Sequence, residues 1–351
     1  MSTIHQFVPS FTARDAIGSH VVQVQRALQE RGHRSDIFDA SSYRRFKPEG
    51  DDTMLVYHLS VGSEIAELML ERPEPLVVNY HNITPSAFFR RWDRQRAHAA
   101  DQGRRQLARL APRATLAIAD SGFNEQELRE SGYASTCVVP ILVDLRAFDR
   151  EPDAATLQRL QAERRGGGAQ LLFVGRITAN KAQHDVLRAF AWYREVHDPK
   201  ARLHLVGWTS PGPYISALRD AVAELGLEAS VDLPGSVTPE ELIAYYRTAN
   251  VFVCLSDHEG FCVPLLEAMH HRVPIVAYAA GAVPGTVGDG AVVLDDKRPA
   301  LVAEAIHAVM ADERLRADLV AAGQARLADF ELTRTAARYS EAVESVLSRR
   351  R

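Results

Sequence analysis

Two glutamates, Glu259 and Glu267, stand eight positions apart in "DHEGFCVPLLEAM" (257–269), with a Gly-Phe pair directly after the first. Carboxylates at that interval could cap a helix, lie in solvent, or hold two parts of one ligand. The apolar run "VFVCLS" before them reads as a strand, and "VPLLEAMHH" reads as a helix with Pro264 at its first position, which proline favours. That count makes Val263 the cap and Glu267 the fourth helical residue. A capping box needs the third position, with a Ser, Thr or Asp at the cap. The amides of Gly260, Phe261 and Cys262 then fall at a helix start, where sugar hydroxyls or a phosphate can accept them. Glu259 beside them suits a sugar hydroxyl, and Glu267, a turn further on, suits the two hydroxyls of a ribose.

A second stretch, "LLFVGRITANKAQHDVL", ends a strand at Gly175 and puts Arg176 and Lys181 in the loop before the next helix. Arginine offers a planar fork of donors to a phosphate and lysine a compact charge, so a diphosphate could be neutralised without a metal. An ordinary basic loop has the same look, and this stretch acquires meaning only beside the glutamates. The usual nucleotide fingerprints are missing: no G-x-G-x-x-G follows a strand, no G-x-x-x-x-G-K-[ST] occurs, and no D-x-D is present. Dinucleotide redox and P-loop hydrolysis lose support accordingly.

The elements that must position these residues alternate. In the first half, apolar runs at "IHQFVPS", "TMLVYHLS", "PLVVNYH", "TLAIADS" and "TCVVPI" read as strands, separated by helical stretches such as "GSHVVQVQRALQERG". Such alternation predicts parallel βαβ units. A charged segment, "FDREPDAATLQRLQAERRGGGAQ", then reads as a helical linker between domains. After it the alternation restarts from "QLLFVGRI" to "AVVLDD" and ends in a helical tail. The expected fold class is α/β, as two doubly wound sheets: residues 1–150 and 151–330, with a ligand cleft between them at the carboxyl ends of the strands.

Composition narrows the class. With 46% apolar and 25% charged residues, the chain has a soluble globular profile. No apolar run approaches the roughly 18 residues needed to cross a bilayer. The opening "MSTIHQFVPS" lacks the basic segment and apolar core of a secretion signal. Three cysteines without a C-x-x-C argue for a reducing cytoplasm and against a disulfide framework or zinc site. A formal net charge of −4 speaks against a nucleic-acid partner. One segment departs from this balance: residues 90–113 hold eight arginines against two aspartates. That is either a solvated helix face or a patch for an anionic membrane surface or an acidic acceptor.

Taken together, "HEGFCVPLLEAM" resembles the E-x7-E signature of the family 4 retaining glycosyltransferases, which have the GT-B fold of two Rossmann-like domains. "FVGRITANK" resembles the same family's Arg/Lys phosphate pair. "GSHVVQVQRALQERGH", "IADSGFNEQEL", "VVPILVDLRAF" and "LPGSVTPEELIAYYRTANVFV" extend the likeness over nearly the whole chain. The resemblance implies a nucleotide-sugar donor held mainly by the C-terminal domain and a hydroxyl acceptor by the N-terminal one. It implies diphosphate binding by Arg176 and Lys181 and sugar binding by Glu259 with the amides of Phe261 and Cys262. It also places Glu267 on the ribose, Val237 beside the base, His81 near the sugar and the Gly18 amide near the diphosphate. A final helix, 331–351, would cross back to the first domain. No cofactor or metal is expected, and the reaction implied is hexosyl transfer with retention by front-face attack. Two positions depart from the family pattern: Ile17 replaces the first glycine of an N-terminal pair, and Gly285 stands where glutamate is usual. Two readings compete: a non-catalytic sugar-nucleotide-binding subunit, which those departures permit, and a glycoside hydrolase, whose paired carboxyls must flank one bond.

Overall fold

The computed structural model describes residues 2–12, 15–48 and 52–348. The chain divides into two compact units, Met1–Asp144 with Asp329–Arg351, and Leu145–Ala328.

The first unit holds strands β1 (Thr3–Phe7), β2 (Ile37–Phe38), β3 (Thr53–Leu59), β4 (Leu76–Tyr80), β5 (Leu116–Ala119) and β6 (Thr136–Val138). They form one parallel sheet in the order β2-β1-β3-β4-β5-β6. Helices cover both faces, which is why every residue of β3 and β4 is buried and both strands read as nearly unbroken apolar runs. On one face Ile4, Val24, Leu28 and Val56 pack with Tyr339, Val343 and Val346 of the closing helix Leu332–Ser348. On the other, Leu55, Tyr57 and Val78 pack with Met69 of the helix Glu64–Glu71 and Leu107 of the helix Arg94–Leu110. The closing helix is pinned at its far end, where Arg31 donates to both carboxylate oxygens of Glu344 at 2.7 and 2.6 Å.

The second unit holds β7 (Gln170–Val174), β8 (Arg202–Val206), β9 (Val231–Gly235), β10 (Val251–Cys254), β11 (Ile275–Tyr278) and β12 (Ala291–Leu294). Its parallel order is β12-β11-β10-β7-β8-β9. The order reverses between β7 and β10, so the loops leaving these two strands emerge side by side at the carboxyl edge. Open α/β sheets bind ligands at such a reversal.

The segment expected as a linker belongs to the second unit. Its helix, Ala154–Arg165, lies on the helix Pro239–Thr248: the Asp153 amide donates to the Glu240 carbonyl at 2.9 Å, and Arg159 donates to the Tyr245 hydroxyl at 2.8 Å. Leu160 is the residue of this helix that is buried, and so little apolar character gives the sequence an unattached look. The helical tail after Pro299 is broken at Asp312, whose carboxylate accepts from the Leu315 amide and starts a second helix, Glu313–Arg326. Two short elements had no sequence signal, the two-residue β2 and the helix Val283–Val287.

Candidate functional site

The loop after β7 is shaped by backbone contact. The Gly175 amide donates to the Val206 carbonyl and the Ile177 amide to the Trp208 carbonyl, each at 2.9 Å. A Cβ on Gly207 would lie 1.9 Å from the Gly175 carbonyl oxygen, so glycine is required where these chains pass. The Gln183 side chain donates to the Arg176 carbonyl at 2.9 Å, and a short turn, Ala179–Lys181, follows. The Asp257 amide donates to the Asn180 carbonyl at 2.9 Å and joins this loop to the one after β10. The Lys297 ammonium adds a clamp: it donates to the Leu255 carbonyl at 3.2 Å, pairs with Asp185 at 2.7 Å, and pairs with Asp257.

At the centre of the joined loops, the Lys181 ammonium donates to both carboxylate oxygens of Glu259 at 2.6 Å. Both side chains are largely withdrawn from solvent, at 17% and 5% exposure. Burial favours the neutral amine, but the charge of Glu259 and its hydrogen bonds outweigh it and hold the Lys181 pKa above its usual value. Arg176, in the same loop, is exposed. The carbonyl of Glu259 is fixed too, accepting from the Ala282 amide at 2.9 Å. A Cβ on Gly281 would sit 2.3 Å from that carbonyl oxygen, and Gly281 has a φ of +56°.

The helix after this loop is Val263–His270, with Cys262 as its cap in a left-handed conformation at φ +74°. It starts one residue earlier than expected, so Pro264 is its second residue and Glu267 its fifth. No side chain caps it. Glu267 accepts from the Tyr246 hydroxyl at 2.7 Å, and burial raises its pKa to about 7 against the bond's opposing pull. Tyr246, which the sequence analysis did not single out, reaches Glu267 from the helix Pro239–Thr248 and stacks on His271 with ring centroids 5.1 Å apart. Cys254 at the end of β10 and Cys262 bring their sulfurs to 4.0 Å, a proximity their spacing had not suggested. Val237 lies half-buried between β9 and that same helix.

Gly18 and His81 lie in the first unit. The Gly18 amide donates to Asp15 Oδ1 at 2.7 Å, as part of a helix cap. His81 follows β4 and is bonded at both ring nitrogens, Nδ1 to Asp120 Oδ2 at 2.7 Å and Nε2 to His58 Nδ1 at 2.9 Å. In the arginine-rich segment, Arg104 pairs with Glu127 and Arg109 with Glu67, while Arg113 donates to the carbonyls of Arg72 and Glu74. Arg91, Arg94 and Arg105 remain exposed.

The structure thus joins Lys181, Glu259 and Cys262 in the second unit, puts Glu267 one helical turn further on, and holds Gly18 and His81 in networks of the first. Two doubly wound units, each built on a six-stranded parallel sheet, make up the GT-B fold. The sucrose-phosphate synthase of Thermosynechococcus elongatus has this fold: it superposes with a TM-score of 0.81 at 18% identity, over 99% of this chain and 100% of that one. Residues 156–326, which lie in the second unit, match the family described as glycosyl transferases group 1.

A D-inositol 3-phosphate glycosyltransferase of Nocardiopsis dassonvillei is 30% identical over 278 residues, which are 74% of this chain and 62% of the relative. A GDP-mannose-dependent alpha-(1-6)-phosphatidylinositol monomannoside mannosyltransferase of Mycolicibacterium smegmatis is 32% identical over 197 residues, 53% of this chain and 50% of the relative. The match therefore spans between half and two thirds of these relatives' lengths.

Gly281→Ala should displace the Glu259 loop and lower stability by about 1–3 kcal/mol, through both the clash and the left-handed backbone. Gly285→Ala, which meets nothing within 4 Å, should leave the melting temperature unchanged or slightly raised. Equal melting temperatures for the two variants would contradict the contact.

Proposed function

We propose that the chain is a retaining hexosyltransferase that moves a sugar from a nucleoside-diphosphate donor to a hydroxyl acceptor. The observation that supports this most is the buried Lys181–Glu259 pair beside an exposed Arg176, at the strand-order reversal of a group 1 domain. A lysine ammonium has three donors, and two are spent on Glu259. The third is free for a β-phosphate oxygen in this reading, and Arg176 supplies charge that no carboxylate has cancelled.

As the glycosyl–oxygen bond breaks, negative charge grows on the departing phosphate. Arg176 and Lys181 stabilise it without a metal ion in this proposal. The acceptor hydroxyl attacks the same face of the anomeric carbon, and its proton passes to the leaving phosphate oxygen. Glu259 takes a hydroxyl of the transferred sugar on its remaining lone pairs, with the amides of Gly260, Phe261 and Cys262 alongside. Glu267 takes the ribose, and Val237 borders the base. His81 would have to release His58 to offer Nε2 to the sugar, and the Gly18 amide would have to leave Asp15 to reach a phosphate.

The name of the mannosyltransferase relative makes GDP-mannose the first donor to try, with UDP-glucose beside it. Both relatives' names contain an inositol, which supports a polyol acceptor. No helix among the described residues is long and apolar enough to cross a membrane. Exposed Arg91, Arg94 and Arg105 support peripheral contact with anionic lipid at a cytoplasmic membrane face. The chain should then sediment with anionic vesicles at low salt; its remaining in solution would remove the lipid contact.

The deciding experiment is a thermal-shift series with nucleotide-sugars, followed by donor hydrolysis and transfer assays on the best binder. A donor that binds the folded state raises the melting temperature. Binding without turnover would favour a non-catalytic subunit, and release of sugar from simple glycosides a hydrolase. Lys181→Ala should lower kcat by roughly 10²–10³, the scale for loss of one oxyanion donor; full activity would remove Lys181 from the mechanism. A protonated Glu267 accepts fewer hydrogen bonds, so nucleotide affinity should strengthen as pH rises through about 7. Glu267→Gln should flatten that dependence, and an unchanged profile would place the ribose elsewhere.

A further inference from the structure

Cys254 ends β10, Cys262 caps the following helix, and Glu259 lies in the loop between them. The left-handed backbone at Cys262 helps to fold the loop back, so that the two sulfurs stand 4.0 Å apart. Sγ of each cysteine and a Glu259 oxygen all lie within 4.8 Å of one another. Zinc–sulfur bonds of about 2.3 Å and a zinc–oxygen bond of about 2.0–2.2 Å, set tetrahedrally, would place such atoms roughly 3.5–3.8 Å apart. The triangle already present therefore needs to contract by less than about 1.5 Å along its edges.

Chemistry and access agree with the geometry. Two thiolates and a carboxylate form a donor set suited to soft and borderline ions, with a fourth position left for water. Cys254 and Glu259 are buried, whereas Cys262 is half-buried and leaves a way in. Lys181 stands beside the set, and its charge together with a divalent ion's balances the three anionic ligands.

The other histidine or cysteine cluster among the described residues, His20, His58 and His81, lacks this freedom. There Nδ1 of His20 accepts the Leu142 amide at 2.9 Å and Nε2 meets Asn79 at 2.9 Å, while His58 bonds Gln6 and His81.

We propose that Cys254, Cys262 and Glu259 form a binding site for a thiophilic divalent cation such as Zn²⁺ or Cd²⁺, and that the ion competes with the sugar donor for Glu259. The competition rests on the role given to Glu259 above; the ion site does not. Binding forms two metal–sulfur bonds and one metal–oxygen bond, and the two thiol protons go to the buffer. Nothing is oxidised or reduced.

The test is titration of the fully reduced chain with Cd²⁺ alone, followed by the ultraviolet sulfur-to-cadmium charge-transfer band. One equivalent should saturate the band. Cys262→Ser and Cys254→Ala should each halve its intensity and weaken binding roughly tenfold or more, and Glu259→Gln should weaken binding by a similar factor with the intensity kept. Cys137→Ser should change nothing. Circular dichroism confirms that each variant is folded, and Cys254→Ser replaces Cys254→Ala if the smaller residue unfolds the strand. No band in the reduced chain, or the same band after loss of Cys254 or Cys262, overturns the site; unchanged affinity in Glu259→Gln overturns the carboxylate's part and the competition with it. The band is read without donor turnover, so a chain that binds Cd²⁺ but transfers no sugar leaves the ion site standing and defeats only the transferase reading.

Discussion

The second unit is organised around the need of a withdrawn ammonium and a withdrawn carboxylate for each other. The two side chains are 17% and 5% exposed, and removing one partner of a buried pair commonly costs about 3–5 kcal/mol because the other charge is stranded. The two groups come from loops 78 positions apart in sequence, so their meeting depends on β7 and β10 being neighbours. The pair adds a side-chain tie to the backbone bond between Asp257 and Asn180 that joins the two loops. The Asp257 amide, the Lys297 ammonium and the missing side chain of Gly281 then serve one end, holding a carboxylate at the place where its counter-charge is delivered.

This arrangement alters how the individual residues are understood. Read along the chain, Lys181 is a phosphate ligand and Glu259 a sugar ligand, each acting separately. In the folded protein they are first a neutral couple, and any ligand meets the couple rather than either member. Arg176 becomes the uncompensated cation of the region, and Glu267, held by Tyr246, becomes a carboxyl that changes charge near neutral pH. In the first unit buried polar groups likewise satisfy one another: His58, His81 and Asp120 stand in a row at the carboxyl ends of adjacent strands.

Much of the architecture was legible because parallel strands covered on both faces must be apolar along their whole length, and runs such as "TMLVYHL" and "VFVC" have no other soluble use. Of the loop residues that follow such strands, Lys181 and Glu259 stood out only when the two stretches were read together, and the fold brings these two into contact. What escaped the sequence was whatever depends on tertiary neighbours. The helix Ala154–Arg165 looks like a linker because it buries little, yet it docks through Asp153 and Arg159. Tyr246 gave no sign of its role, since a tyrosine in an amphipathic helix ordinarily belongs to the core. Cys254 and Cys262 are too far apart for any local ligand motif, and only the backbone at Cys262 brings them together. The one-residue error at the start of the following helix has the same origin, for a cap without a side-chain hydrogen bond leaves no signature.

The return of the closing helix to the first unit has a consequence for synthesis on the ribosome. Tyr339, Val343 and Val346 complete a face of a sheet whose strands were all translated before residue 140. Throughout translation of the intervening segment that face lacks its cover, while the second unit is sequence-contiguous and can finish first. The nascent chain therefore carries an open apolar surface while the whole second unit is being made, a period in which chaperone capture and premature association compete with completion.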